Sequence, residues 1–378
     1  MKRTLITLLI TFILLAFPPL QVTAQDSAPI ESDSGAVVCP PGVYLASPSD
    51  CIPLGPSAYL TGLAQLGMTF PPRPLPASKP DPSLTQLPYH YFHLDKTYVP
   101  IYSSPGEKGP GGQQFPPGFV YISYVDQVSS NGIYFLLQSG GWIPGKGERV
   151  SEIPTFQGLV FTGTPRSSFG WVAFQTPIMS APGYNADKTG QEIYTLQTVQ
   201  IYGSQTADGV EWYLIGPDQW VEGRNVALVT PNPIPPDGVT NGRWIDVNLA
   251  KQTLAVYDNY KLVFATMVAT GQEPFWTRPG LFQIQQKKET ETMRNSDPSD
   301  YYYLDNVPWT MYFDGARALH GAYWRTHFGY AQSHGCVNLS VGDAHWLFNW
   351  AHEGDWVYVH DPSGLTPTDP ARYTGGAY

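Results

Sequence analysis

The chain is short of charge. Asp, Glu, Lys and Arg make up 14 % of its 378 residues, against about 25 % in an ordinary soluble domain. Basic residues are scarcer than acidic ones, and the formal net charge is −10. That excludes a nucleic-acid binder working by phosphate neutralisation. It equally excludes attachment to anionic lipid or anionic wall polymers by charge alone. Cysteine is nearly absent, at three residues, so a disulfide-dense scaffold is excluded too. Beyond the N-terminus no apolar run is long enough to span a bilayer, and no glycine-rich phosphate loop is evident. What the chain has instead is 37 Gly, 37 Pro, 24 Tyr and 11 Trp. Many turns with many aromatic and β-branched residues favour short strands over long helices. The length allows about two to four domains.

The N-terminus sets an expected compartment. Lys2 and Arg3 precede an apolar run from Leu5 to Phe17, and Val22-Thr23-Ala24 offers small residues for cleavage. This pattern reads as a secretory signal peptide at 1–24, cleaved after Ala24, rather than an uncleaved anchor. Its loss would take the formal charge to −12. An exported chain meets an oxidising compartment, so Cys39 and Cys51, flanking a loop rich in Pro, Gly and Ser, are expected to form a local disulfide. Cys336 is then left alone, and an odd cysteine in a secreted protein reads as a reactive thiol.

Residues 25–88 hold the Cys loop and a Pro-dense stretch (71–88) that reads as an extended linker. An internal repeat follows. VPIYSSPG (99–106) matches TPIMSAPG (176–183), and Asn131-Gly132 and Asp208-Gly209 are hairpin signals at the same offset. Trp142 and Trp220 end the two patterns. Two modules, at 89–155 and 165–230, are therefore expected, each with its aromatics either filling a small β core or lining a ligand groove. A second Pro-rich linker covers 231–242. The catalytic candidate spans 243–361, and 362–378 reads as a tail. Within 243–361 the alternation gives paired strands around Asp258-Asn259, strands at 277–284, 307–313, 316–321 and 355–361, and one helix over 342–354 closed by Gly354.

Residues 320–339 carry the chemistry: HGAYWRTHFGYAQSHGCVNL. A cysteine nucleophile needs a thiolate, an access path and donors for the oxyanion it creates. Gly335 allows close backbone approach to Cys336, and a helix start after Asn338 and Ser340 would lower the thiol's pKa. His320 or His334 would serve as proton carrier. Two other readings are a buried cysteine beside surface histidines and a zinc site from His320, His327, His334 and Cys336. The segment has no CxxC or HxxxH ligand pair.

His320, a gap of 15 residues, then Ser333-His334-Gly335-Cys336-Val337-Asn338 strongly resembles the signature of L,D-transpeptidases of the YkuD type. The resemblance covers 243–360. It implies Cys336 as the acyl-accepting nucleophile, His320 as general base and acid, and the Gly321 carbonyl as its orienting partner. It further implies an oxyanion hole lined by His334 and Gly335 with the Cys336 N–H as donor, and loop support from Ser333 and Asn338. Tyr323, Trp324 and Arg325 would border a donor-peptide cleft, with Arg325 either meeting a peptide carboxylate or making a plain surface salt bridge. The layout of the repeats resembles bacterial SH3-like barrels. The expected fold is thus mainly β, two small SH3-like modules before a β-sandwich-like catalytic domain with one short helix. The implied partner is a peptidoglycan stem peptide, with no metal, cofactor or nucleic acid, and the implied place is the cell envelope. Loss of terminal D-alanine and formation of 3→3 cross-links would be the reaction. Hydrolysis, protein anchoring or a silent wall-binding role are the alternatives; a papain-like peptidase would place its Cys before its His.

Overall fold

The computed structural model describes residues 74–94, 97–107, 112–145 and 150–373, with a two-residue pairing of Ile30–Glu31 and Val37–Val38 ahead of them. The expected signal peptide and the expected Cys39–Cys51 disulfide lie outside the described residues. The architecture is mainly β, with one α-helix among the described residues.

Strand β1 (Ala77–Ser78) opens the described chain. The first repeat follows as β2 (His90–His93), β3 (Val99–Ile101), β4 (Gln113–Phe115), β5 (Phe119–Ser129), β6 (Ile133–Leu137) and β7 (Trp142–Gly145). Val120, Ile122 and Tyr124 alternate inward along β5, and they close a small core with Phe92, Phe135 and Ile143. Asn131 (φ 50°) and Gly132 turn the β5–β6 hairpin in the left-handed region that the Asn-Gly pair accepts without strain.

Strand β8 (Leu159–Phe161) separates the repeats. The second repeat comprises β9 (Phe169–Val172), β10 (Thr176–Met179), β11 (Lys188–Ile193), β12 (Thr198–Gln200), β13 (Gly203–Ala207), β14 (Val210–Gly216), β15 (Gln219–Glu222) and β16 (Val226–Val229). Asp208 (φ 53°) and Gly209 (φ 76°) form its hairpin turn directly between paired Ala207 and Val210, whereas in the first repeat Ser129 pairs with Ile133. Its Trp212 and Trp220 are buried in one cluster with Met179 and Leu214, so these aromatics fill a core.

The C-terminal part contains β17 (Trp244–Asn248), β18 (Thr253–Asp258), β19 (Lys261–Met267), β20 (Gly280–Gln283), β21 (Gln286–Asn295), β22 (Tyr302–Asp314), β23 (Arg317–Gly321), β24 (Val337–Leu339), α1 (Val341–Trp350) and β25 (Trp356–His360). Two sheets form. One runs β20-β25-β17-β18-β19-β8-β1; the other runs β24-β23-β22-β5-β6-β7, with β21 on β22 and β2 on β5. Ile245, Val256 and Phe264 of the first sheet meet Met311, Phe313 and Leu319 of the second in one fully buried core. Each such side chain contributes about 1.5–3 kcal/mol by leaving water. The hairpin between β18 and β19 turns on Asn259-Tyr260, one residue beyond the expected pair, because both take positive φ.

Three segments depart from their reading as linker or tail. Ala77–Ser78 pairs with β8 at the edge of the first of these sheets. Pro82–Thr85 makes a 3-10 turn capped by Asp81, whose carboxylate accepts the Ser83 N–H at 2.9 Å. That turn lies on α1, where His345 Nδ1 meets the Leu84 carbonyl at 3.2 Å. The proline-fixed backbone is thus packed, not free. Between repeat and catalytic segment, Val239 is buried and the Asn232 N–H donates to Tyr257 Oη at 2.9 Å. The tail returns at Pro370–Tyr373, where Arg317 donates to the Tyr373 carbonyl at 3.4 Å.

Helix α1 starts at the Ser340 N-cap, whose Oγ accepts the Asp343 N–H at 3.2 Å. It ends at Trp350, before Gly354. Lys287 Nζ donates to the Phe348 and Ala351 carbonyls, and Arg243 to the Trp350 carbonyl. Lys287 of β21 and Arg243, just before β17, therefore satisfy the last turn in place of a C-terminal glycine.

Candidate active site

Strands β23 and β24 run parallel, with Leu319 opposite Val337 and His320 opposite Asn338. Every residue of both strands is buried. The connecting loop, 322–336, carries the SHGC run back to the point where β23 leaves the core. Register alone therefore brings His320 beside Asn338 and places Cys336 one residue before the strand.

The hydrogen bonds fix the imidazole. Arg325 Nε lies 2.5 Å from Asn338 Oδ1. An arginine can only donate, so the Asn338 amide must turn its Nδ2 toward His320 Nε2, 2.9 Å away. Nε2 then accepts, and Nδ1 carries the proton toward the Gly321 carbonyl at 3.1 Å. Burial pushes the imidazole down to about 4; the Gly321 bond raises it and Arg325 lowers it further. His320 rests neutral, with its lone pair on Nε2.

Cys336 rests apart from it. The thiol lies 3.8 Å from the Ala316 carbonyl. Burial pushes it up to about 11, against the lowering effect of the Ala318 N–H and the Arg317 charge. The expected helix start beside the thiol is not there, because β24 intervenes between Cys336 and α1. The dipole falls off within the first turn of a helix, so it does not offset the burial. Thiol and imidazole are both neutral near pH 7, and they are not hydrogen-bonded to one another.

The nucleophile loop is braced on all sides. Ser333 Oγ accepts the Gly335 N–H at 3.2 Å and donates to the Cys336 carbonyl at 2.5 Å. Gly335 takes φ 114°, a region closed to other residues without strain. Its carbonyl accepts from Thr277 Oγ1 at 2.9 Å. His334 Nε2 lies 3.1 Å from Asp300, and its ring lies between those of Phe275 and Tyr302, 4.7 and 5.4 Å away. Arg317 runs beneath the loop, held by Asp314, the Trp276 carbonyl and Tyr373.

Two cavities meet at Cys336. One, of about 310 Å³, is lined by His320, Trp324, Arg325 and Phe119. The other, of about 530 Å³, is lined by Glu291, Arg294, Tyr312 and Ala316. Cys336, His334, Tyr302 and Met293 border both. Trp324 and Arg325 thus line a cleft. Tyr323 does not: it is fully buried, stacked on Tyr91 at 3.5 Å, and its hydroxyl donates to the Asp305 carbonyl at 2.7 Å. It is a packing residue, because the loop turns it toward the first repeat. Arg325, expected to meet a peptide carboxylate, spends Nε on Asn338 and Nη2 on the Gln332 carbonyl. Among the described residues no group of three or more His, Cys, Asp or Glu side chains is placed to hold a metal. Phe119, Thr277, Asp300, Tyr302 and Arg317 escaped the sequence reading. None of them carries a spacing signal toward the SHGC run.

Residues 242–359 match the YkuD family model, the L,D-transpeptidase catalytic domain. Solved structures similar to the chain include a cysteine-to-serine mutant of the Enterococcus faecium L,D-transpeptidase, at 24 % identity and TM-score 0.30, covering 31 % of this chain and 49 % of that one. An L,D-transpeptidase from Stackebrandtia nassauensis is 29 % identical, with TM-score 0.27, over 34 % of this chain and 58 % of that one. The isolated catalytic domain from E. faecium is 25 % identical, with TM-score 0.30, over 32 % of this chain and all of that one. The chain therefore spans about half the length of the first two. No curated protein matches the chain. Within the matched L,D-transpeptidase segment lie His320, the SHGC run and α1; the repeats lie outside it.

Proposed function

We propose that this protein is an exported peptidoglycan L,D-transpeptidase with Cys336 as nucleophile and His320 as proton carrier. The observation that carries the reading is the junction at Cys336: one thiol borders two cavities, beside an imidazole whose Nε2 is unprotonated, inside the segment that matches the catalytic domain. An acyl transfer between two peptides needs that layout.

The steps follow from the geometry. The thiol leaves Ala316 and presents its proton to His320 Nε2, which exchanges Asn338 for it; catalytic hydrogen bonds commonly form only with substrate in place. Sγ attacks the carbonyl of the diamino acid at stem position three. The Cys336 N–H and its neighbours in the loop receive the oxyanion. The C–N bond breaks, and His320 returns the proton to the departing D-alanine amine. A second stem's side-chain amine then attacks the thioester, giving a 3→3 link, and Sγ recovers its proton. The Gly321 carbonyl keeps Nδ1 protonated throughout. No group in the scheme needs a metal or nucleotide. The two repeats, at 89–155 and 165–230, act as SH3-like modules that join the enzyme to the wall, which the expected signal peptide would let it reach.

Mass spectrometry of the protein with a disaccharide-tetrapeptide tests this. D-alanine release with an acyl adduct on Cys336, abolished in Cys336→Ala and reduced at least a thousandfold in His320→Ala, is the expected result. Water as sole acceptor would make it a carboxypeptidase. An intact thiol with neither adduct nor turnover would overturn the reading in favour of a silent binding role.

A further inference from the structure

We infer that the first repeat is part of the active site and that its Phe119 selects the acceptor amine, favouring a primary amine carried on a long methylene chain. The inference rests on the transpeptidase reading above.

The first repeat is joined to the catalytic segment by backbone pairing. Phe119, Val120 and Tyr121 of β5 pair in parallel with Tyr302, Tyr303 and Leu304 of β22. The Phe119 N–H donates to the Tyr301 carbonyl at 3.1 Å. Tyr91 stacks on Tyr323 and donates to the Asn306 carbonyl at 2.9 Å. Ser123 Oγ donates to Asp305 at 2.5 Å. The module cannot move independently of β22 while these contacts last.

This docking carries an aromatic run to the catalytic histidine. Phe119 lies 5.1 Å from Tyr121, Tyr121 lies 6.4 Å from Trp324, and Trp324 lies 5.7 Å from His320, ring to ring. Phe119 is 43 % exposed, and it lines the smaller cavity without lining the larger. His320 divides the cavities in the same way.

Proton transfer then assigns the smaller cavity. In acylation His320 hands its proton to the departing amine; in deacylation it takes one from the arriving amine. Both amines must sit on the side of Cys336 that His320 faces, so the acyl chain extends into the larger cavity. When the acceptor attacks, its C–N bond forms, the C–S bond breaks, and the amine proton passes through Nε2 to Sγ. Phe119, Met293, Leu304 and Trp324 give that side a largely apolar wall. Such a wall suits the methylenes of a diamino acid side chain and offers a short amine little to touch.

The test uses partitioning of the acyl-enzyme, which is independent of how fast it forms. The full chain is acylated with a tetrapeptide stem, and the ratio of aminolysis to hydrolysis is measured with two acceptors at equal concentration, a diamino-acid stem and glycinamide. Phe119→Ala is expected to lower the ratio about fivefold for the long acceptor and less than twofold for glycinamide. Phe119→Leu, which keeps an apolar contact, is expected to restore most of the preference. Equal changes with both acceptors, or no change with either, would overturn the inference and leave the module a scaffold. No adduct on wild-type Cys336 would remove the transpeptidase reading itself, and this inference with it.

Discussion

The two repeats share an order of strands and a glycine-bearing hairpin at the same offset, yet they meet the catalytic segment by different physics. The first is joined through backbone: β5 runs unbroken from Phe119 to Ser129, and its first three residues extend a catalytic sheet. In the second repeat the corresponding stretch is interrupted. Leu196, at the offset of Phe119, takes φ 72°, and the chain splits into β12 and β13. That module instead lays the face of its three-stranded sheet on the catalytic one, Phe169, Trp171 and Val229 against Trp244, Tyr257 and Met267. One copy supplies residues to the site. The other supplies apolar area behind it. Two segments of one repeated pattern thus make two attachments, and the length of one strand decides which.

The largest expected effect separates the two attachments through the thiol. Burial holds Cys336 at about 11, so thiolate, and alkylation by iodoacetamide, should rise about tenfold per pH unit up to that value. Tyr91→Ala removes the ring that stacks on Tyr323 of the 322–336 loop. It is expected to let the thiol fall toward its ordinary range and to speed alkylation at pH 8 roughly a hundredfold. Trp220→Ala in the second module should leave the alkylation profile of the folded protein in place. Equal profiles in the two variants would erase the distinction. Both variants delete a large buried side chain and should cost about 3 kcal/mol, measured by denaturant unfolding.

A smaller effect concerns the segment between the repeats. The Asp343 carboxylate is buried on α1, accepting the Gly158 N–H at 2.8 Å and the Thr266 hydroxyl at 2.5 Å. Burial pushes it up to about 6. A raised carboxyl holds its proton more tightly when folded. Its stabilising contribution is therefore full below pH ~4 and is lost as pH rises through about 6. Asp343→Asn keeps the Gly158 bond at Oδ1 and reverses the Thr266 bond, its Nδ2 donating to Thr266 Oγ1, without the charge. Relative to wild type it should gain on the order of 2 kcal/mol between pH 4 and 7, read as a melting-temperature difference that grows over that window. A difference independent of pH would sink the argument. Ser123→Ala, which deletes one bond to Asp305 at the first junction, should cost about 1–2 kcal/mol. Lys251→Met, at the second junction with Tyr213 and Glu211, should cost less than about 0.5 kcal/mol, because the pair is partly in water.

Local chemistry was legible in the sequence; long-range pairing was not. Asn-Gly and Asp-Gly announce their hairpins because few residues accept those dihedrals. The helix showed through its spacing, although its end did not, since Lys287 and Arg243 reach it from distant parts of the chain. His320 and Cys336 stood out because spacing along one loop carries their relation. By contrast, Phe119 looked like any inward–outward strand residue. Period-2 alternation tells which face is buried and says nothing about which strand lies alongside. Tyr323 was misread for the same reason: its partner, Tyr91, lies outside the catalytic segment. The Pro-dense stretch read as linker because composition reports stiffness and leaves packing unsaid.

Strand β8 has one more consequence. Leu159 and Val160 pair with Ala265 and Phe264, so β19 is an interior strand only while residues before the second repeat are present. A fragment starting at residue 243 would keep His320 and Cys336 and lose that cover. It would present a bare hydrogen-bonding edge, and such edges recruit another chain. Excised from its neighbours, the catalytic segment is therefore expected to self-associate edge to edge.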